Sequence, residues 1–583
     1  MKKLIALLLA GAMCAGLLAG CGGNNGGSTE TQAPETSAPT ETGNAGVPEG
    51  VGTIDPVNDW AQYDELINEI RTTTDFAHRV DLMHEAEDLL MSTGAILPLY
   101  YYTDPYMAKD YMSGYYVNPY GFKYFMFTKL DNGSDTLRLH IASEPDKLDP
   151  ALNSTVDGAV LAVNSFSGLF TYNAEGQIVP DLVESYEVSE DGLTYTFHLL
   201  SDLKWSNGDK LDANDFVYSW NRVVDPNTAA DYSYMMDVIA RNDDGTLKMS
   251  ASEDGSTLTV ELTSPCPYFL DLCCFTCYLP VHQASVEAAD PNGSNPGAWA
   301  LEAGFVSNGA YTLQTWNHES SMTYVKNPNY HRASEVTVER LEYMLSSDDA
   351  ATYNAYQAGD LDFTDTIPTD EMENAKQTDE YYCASQMGNY YVAFNVKSSL
   401  FDGKTPAQAN AMRRAFSLLV DREYIVENIG QADQVPAATF VPDGMADGNG
   451  GIFKDRDYFD PLWSEENVAE AIELLKFAGY EFTDDGMLSD ATPINVEYLV
   501  NTSSGNVAIA EALQQDFAEI GINMTIKEEE WNVFLNDRKA GNYDIARNGW
   551  VADFNDPINM LEMWTTDSGN NDCQFGRYDG WNQ

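Results

Sequence analysis

Between Phe76 and Met91 apolar residues recur every three to four positions, the spacing of one helix face, and Thr74 and Asp75 stand where a helix start is capped. Ile96 to Tyr102 is a short apolar and aromatic run suited to a buried strand, and Leu137-Arg-Leu-His-Ile141 alternates as a strand does. Leu130-Asp-Asn-Gly-Ser-Asp135, just before it, has the residues of a turn. Helical spacing returns in Lys404 to Ile425, Glu466 to Ala478 and Val507 to Ile520, while Ile494 to Leu499 and Asn523 to Ile526 predict strands. Turns at Glu190-Asp-Gly192, Ser206-Asn-Gly208 and Glu253-Asp-Gly255 separate elements in the middle of the chain. No fixed period recurs, which removes solenoids and propellers. Strands alternating with helices predict an α/β fold, and 583 residues exceed what one core usually serves, so two or more lobes are expected.

Charge changes the picture of partners. With 31 basic against 91 acidic side chains the formal net charge is −60, a field that repels nucleic-acid backbones and concentrates cationic solutes. The composition is otherwise that of a folded protein, 44% hydrophobic and 12% aromatic, so an acidic surface on an exported protein accounts for most of the excess.

The first residues supply the export signal. Met1-Lys2-Lys3 is a positive start, Leu4 to Leu18 is apolar, and Leu18-Ala19-Gly20-Cys21 is a lipobox, so residues 1–20 read as a lipoprotein signal peptide and Cys21 as the lipidated residue. Residues 21–50, rich in Gly, Ser, Thr, Pro and Glu, read as a flexible tether from membrane to folded body. Six cysteines then remain: Cys266, Cys273, Cys274, Cys277, Cys383 and Cys573. Cys274-x-x-Cys277 lies in an apolar run without a second such pair or a pair of histidines nearby, which favours buried thiols packing as small hydrophobes over a metal site.

Enzymatic signatures are missing. The chain has no HExxH, GxSxG or P-loop, and His78 and His84 are too far apart on their helix to share one metal, which leaves them on a solvated face. No pair of carboxylates stands out for hydrolysis, and no cofactor or metal is expected.

Longer stretches carry a resemblance. Tyr63-Asp-Glu-Leu-Ile, Ile96-Leu-Pro-Leu-Tyr-Tyr-Tyr102 and Gly114-Tyr-Tyr-Val-Asn-Pro resemble the closing helices and strand of the family 5 solute-binding proteins of ABC importers, oligopeptide-binding type. Leu182-Val-Glu-Ser-Tyr-Glu-Val, Lys204-Trp-Ser-Asn-Gly and Ala213-Asn-Asp-Phe-Val-Tyr-Ser-Trp220 resemble that family's amino-terminal half. Gly549-Trp-Val-Ala-Asp-Phe-Asn-Asp-Pro557, with Ser568-Gly-Asn-Asn571, resembles what precedes the closing helices there. The order is therefore that of a circular permutation, and residues 59–130 are expected to pack within the same protomer.

The resemblance implies a type II periplasmic-binding-protein-like fold in its large three-lobed, hinged form. Lobe I would combine 103–166 with 251–387, lobe II would be 167–250, and lobe III would combine 51–102 with 388–583. It implies a non-enzymatic, monomeric, lipid-anchored extracytoplasmic receptor that holds an oligopeptide between two lobes and delivers it to a membrane permease with cytoplasmic ATPases. Relatives with other ligands leave a signalling peptide, a nickel chelate, an oligosaccharide or a surface-sensor role as alternatives. By family position Asp553 would meet the peptide amine, and Gly549, Trp550, Val551 and Ala552 would offer main-chain groups as a strand edge, with Asn153, Ser154, Thr155 and Val156 pairing from the other side. Trp531, Arg538, Arg547, Trp550 and Tyr102 would line the pocket or meet the peptide's far end, and Tyr232 would join from the insert lobe.

Overall fold

In the computed structural model, helix α1 (Ala61–Thr72) is followed by α2 (Phe76–Ser92), whose first turn is closed by the Asp75 carboxylate accepting from the Ala77 and His78 amides. The structure describes residues 46–581 apart from Ser143 and Asp146, and Pro48–Gln583 forms one compact unit. The lipobox, Cys21 and most of the tether lie outside the described residues.

The main sheet is mixed. Its strands are β1 (Ile96–Ala108), β2 (Phe363–Thr364), β3 (Tyr381–Phe394), β4 (Val435–Pro436), β5 (Asn495–Asn501), β6 (Asn523–Glu529) and β7 (Ile545–Val551), in the order β2-β1-β3-β7-β5-β6, with β4 also on β1. A second sheet sets Tyr311–Asn317, Ser321–Lys326 and Arg340–Leu345 beside Thr136–Ile141, which pairs in parallel. A third, antiparallel sheet contains Met249–Ala251, Thr257–Glu261, Thr194–Leu199 and Val183–Val188. The turns between elements follow the sequence reading, with Gly192, Gly208 and Gly255 at φ of 70°, 91° and 74°, where a side chain is strained.

β1 runs well past the expected end at Tyr102. It pairs with β3 along nearly its whole length, so the divisions expected at 102/103 and 387/388 fall inside two long partnered strands. The register shifts there, between Pro98 and Tyr100 and again between Tyr101 and Thr103.

The other expected elements recur with local changes. The helix expected over Lys404 to Ile425 is broken: α4 (Pro406–Leu419) ends at Val420, which is extended, and Asp421 caps a new turn by accepting from the Tyr424 amide. Thr405 and Gln408 form a capping box at the start of α4, with Pro406 in the first turn. Helices α5 (Glu465–Phe477) and α6 (Ser504–Ala518) lie within three residues of expectation. Five of the six cysteines are buried and all six are free thiols; burial raises the Cys266, Cys273, Cys274 and Cys277 pKa values. His84 departs from its expected solvated face, because Phe453 folds over it and stacks at 4.2 Å.

The amino-terminal helices are fastened to residues about five hundred positions away. Trp60 Nε1 donates to the Trp564 carbonyl and the Tyr63 hydroxyl to the Leu561 carbonyl, both at 2.8 Å, and the Trp60 ring stacks on Phe575 at 4.3 Å. At the centre of this seam Arg79 holds Asp556 through two bonds of 2.8 Å, with both side chains almost wholly removed from solvent. Nearby Arg71 meets Glu562 at 2.7 Å, with the Arg71 side chain 45% exposed. Arg79→Met, which leaves the Asp556 carboxylate buried and unpaired, should lower unfolding stability by about 3–5 kcal/mol. Arg71→Met should cost at most about 1 kcal/mol. Equal losses in urea unfolding would contradict this account of the seam.

Candidate functional site

β7 is paired on both sides only at its start. One edge pairs with β3 through Val551 opposite Gly388, whereas the other meets β5 only at Ile545 and Ala546. Beyond Ala546 that second edge has no partner strand among the described residues. The Ala552 amide donates to the Met387 carbonyl, so by the alternation of an antiparallel ladder the amides of Arg547, Gly549 and Val551 point to the open edge. The Gly549 amide is covered by its neighbour's Asn548 Oδ1 at 2.8 Å.

Past Val551 the chain leaves the sheet and presents Asp553. Its carboxylate accepts from Tyr234 at 3.1 Å, Asn559 Nδ2 at 3.3 Å and Tyr232 at 3.5 Å, and its amide donates to Asn559 Oδ1. All three donors are neutral, and no cation pairs with Asp553 among the described residues. Burial therefore raises its pKa to about 6, against the lowering effect of those hydrogen bonds. Trp550 Nε1 shares Asn559 Oδ1 at 3.0 Å. Tyr234, Trp550 and Asn559, with Glu562 and Met563, line a cavity of about 630 Å³.

At the other end of the strand stands a cation without an anion. Arg547 forms no ion pair among the described residues, its Nε is buried without a partner, and its guanidinium lies 5.2 Å from the Tyr390 ring and 6.0 Å from Trp531. Tyr102, Tyr390, Tyr498 and Tyr100 surround it and hold its pKa up against burial. Trp531, at the start of helix α7 (Trp531–Ala540), is 46% exposed, so this end opens to solvent. At the centre a Cβ on Gly549 would lie 2.1 Å from the Tyr102 hydroxyl, so any larger residue would displace that ring.

Most of the residues singled out from the sequence thus fall into two groups joined by β7: Asp553, Trp550 and Tyr232 at one end, Arg547, Trp531 and Tyr102 at the other, with Gly549, Val551 and Ala552 between. Arg538 is occupied otherwise, its Nε 2.9 Å from Asp572 Oδ2, an oxygen that also accepts from Asn548. Ser154, Thr155 and Val156 are exposed at the start of helix α3 (Val156–Ser165), where the Thr155 hydroxyl caps the Gly158 amide. Their hydrogen bonds are local, and the structure does not bring them to β7. Tyr234, Asn559, Tyr390 and Tyr498 escaped the sequence reading. A tyrosine two positions after Tyr232 is the one visible signal; Tyr390 and Tyr498 sit on β3 and β5 and Asn559 in the short helix Ile558–Leu561, where no spacing marks them.

Comparison with known proteins bears on this site. The profile of the Bacterial extracellular solute-binding proteins, family 5 Middle, matches residues 177–572. The chain is 32% identical to the oligopeptide-binding protein OppA of Bacillus subtilis, over 76% of this chain and 80% of that protein. It is 29% identical to the periplasmic murein peptide-binding protein MppA of Escherichia coli, over 74% and 78%. Among solved structures, Haemophilus influenzae OppA in complex with the peptide RPPGFSPFR superposes with a TM-score of 0.58 at 27% identity, over 76% of this chain and 85% of that one.

A carboxylate whose folded pKa is raised above the unfolded value destabilises the fold once pH exceeds the unfolded value, and the penalty is complete above the folded one. For Asp553 that window runs from about 4 to about 6. Asp553→Asn, whose oxygen can still accept from Tyr234 and Asn559 while its amide nitrogen donates to the Tyr232 hydroxyl oxygen, should therefore stabilise the ligand-free protein at pH 7 by about 1–3 kcal/mol. The gain should disappear near pH 4. Paired denaturant titrations at the two pH values test this, and a gain independent of pH would contradict the buried-charge assignment.

Proposed function

Because this chain belongs to the family 5 bacterial extracellular solute-binding proteins, we propose that it captures short peptides with both termini free and hands them to an ABC permease. The observation that carries the reading is the pair of unneutralised charges, Asp553 and Arg547, at the two ends of an open strand edge. The peptide's ammonium pairs with Asp553, its main chain adds to β7 along Arg547–Val551, and its carboxylate meets Arg547. Arg547 and Asp553 stand six positions apart, so at about 3.3 Å per residue their backbone positions lie at most about 20 Å apart. Peptides of up to about five or six residues suit that span. Main-chain bonds are common to all sequences, so discrimination among neutral side chains is modest. Trp550, Trp531 and Tyr102 supply the walls, Tyr232 and Tyr234 reach Asp553 from the insert lobe, and Arg538 braces β7 through Asp572.

In this reading the three lobes are those the family resemblance implies, and β1 and β3 pass between lobes III and I, so their irregular register is the hinge about which the cleft closes. The segment 59–130 takes the place of the relatives' closing helices, as a circular permutation requires; the seam of Trp60, Tyr63 and Arg79 against residues 556–575 supports this. Cys21 carries the lipid that holds the receptor outside the cell membrane, a placement that membrane fractionation of the wild type and Cys21→Ser reads.

Calorimetry with one short peptide in free, N-acetylated and C-amidated forms tests the function. Acetylation, or Asp553→Asn with the free peptide, should weaken binding by about 2–5 kcal/mol, and amidation or Arg547→Met should do the same at the other end. The N-acetyl form should lose little further in Asp553→Asn. Equal affinities for all three forms in the wild type would overturn the reading.

A further inference from the structure

The segment Tyr268–Tyr278, whose cysteines have no part in the proposed function, grips the loop that carries Asp553. Asp271 is buried; its Oδ2 accepts the backbone amide of Asn555 at 2.5 Å and the Tyr120 hydroxyl at 2.9 Å, while its Oδ1 has no partner. Three residues earlier, the Tyr268 ring stacks on Phe554 at 4.4 Å and 9°. Four residues later, Phe275 packs edge-on against Tyr232 at 4.9 Å, behind the hydroxyl that faces Asp553.

Each residue of the loop has its own tether. Asn559 takes the Asp553 amide, Tyr268 takes the Phe554 ring, Asp271 takes the Asn555 amide and Arg79 takes the Asp556 carboxylate. The two main-chain tethers differ in origin. Asn559 lies six positions from Asp553, so its bond survives any movement of the two sides of the cleft. Asp271 lies 284 positions from Asn555, in the part of the chain assigned to the opposite lobe, so its bond exists only while the two sides lie together.

Burying a carboxylate with no cation beside it is costly, and an apolar side chain would fill the same space without that cost. Asp271 thus incurs a desolvation penalty offset by two donors, the Tyr120 hydroxyl and the Asn555 amide, the latter two residues from the amine anchor. We propose that Asp271 is a positioning residue that fixes the aim of the Asp553 carboxylate from across the cleft, so that recognition of the peptide amine is completed only when the lobes close. The inference rests on the reading of Asp553 as the amine anchor.

The test compares the affinity of a short free peptide with that of its N-acetyl form in the wild type, Asp271→Ala and Asp271→Asn. Wild type should prefer the free amine by at least thirtyfold, a ratio equivalent to about 2 kcal/mol. Asp271→Ala should reduce that preference to within about threefold while leaving affinity for the N-acetyl form nearly unchanged. Asp271→Asn, which keeps an acceptor for the Asn555 amide, should restore most of it. General loosening of the fold would weaken both peptides alike and leave the ratio intact. If Asp271→Ala does not fold, Asp271→Leu fills the same volume without an acceptor and should give the same collapse. In the wild type itself, the Asn555 amide should exchange slowly with solvent in the closed state. No amine preference in the wild type overturns the reading of Asp553 and this inference with it. A wild-type preference that Asp271→Ala or Asp271→Leu retains, or rapid exchange at Asn555, overturns the inference alone.

Discussion

Removing a carboxylate from water costs several kcal/mol unless a cation or enough donors replace the solvent, and at Asp553 that replacement stops halfway. Two phenols and one amide donate to it, Glu562 adds repulsion, and no cation answers its charge among the described residues. Much of the surrounding structure holds this unfavourable group in place. The end of β7 delivers it, Asn559 fixes its backbone, Arg79 pins Asp556 three residues on, and the first two helices are fastened across the chain to supply that arginine. A ligand that brings an ammonium group completes the set of interactions which the fold leaves unfinished.

The opposite end has the mirror-image deficit. In a chain with three acids for every base, a guanidinium without a carboxylate partner is a costly choice, and Arg547 is kept in that state by a ring of tyrosines. Arg538, on neighbouring helix α7, shows the contrast, since Asp572 neutralises it directly. A dipolar ligand lying along β7 compensates both ends at once, whereas a cationic or anionic solute compensates one. Between the ends, the Arg547 and Val551 amides on the open edge read no side chain, and Gly549 leaves room for the Tyr102 hydroxyl to pack against the strand.

The periodic elements were legible in the sequence because one face of each must be apolar: α2 with its Asp75 cap, and β5 and β6 by their apolar runs. What failed did so for nameable reasons. Hydrophobic spacing continues across Val420, but Asp421 offers its side chain to the Tyr424 amide, and a local cap outweighs the longer pattern. β1 continues past Tyr102 although Thr103, Asp104 and Pro105 look unlike a strand, because pairing with β3 carries them. The spacing of its helix places His84 on a solvated face, and nothing local announces Phe453, hundreds of residues away. The site divides in the same way. Asp553, Trp550 and Arg547 sit in a recognisable stretch, while Tyr234, Asn559 and Asp271 act through contacts that only the folded chain creates. Arg538 has the right chemistry and the right neighbourhood, but Asp572, far along the chain, takes its charge, and no spacing links the two.

The central claim is that Asp553 is a carboxylate poised for an ammonium group. Its titration, followed by carbon-detected nuclear magnetic resonance with and without saturating peptide, addresses the claim directly. The account predicts a ligand-free pKa near 6, falling below the usual carboxylate value of about 3.9 when a peptide with a free amine is bound, because the ion pair then favours the charged form. An Asp553 pKa that is unchanged on saturation, or that moves upward, would contradict it.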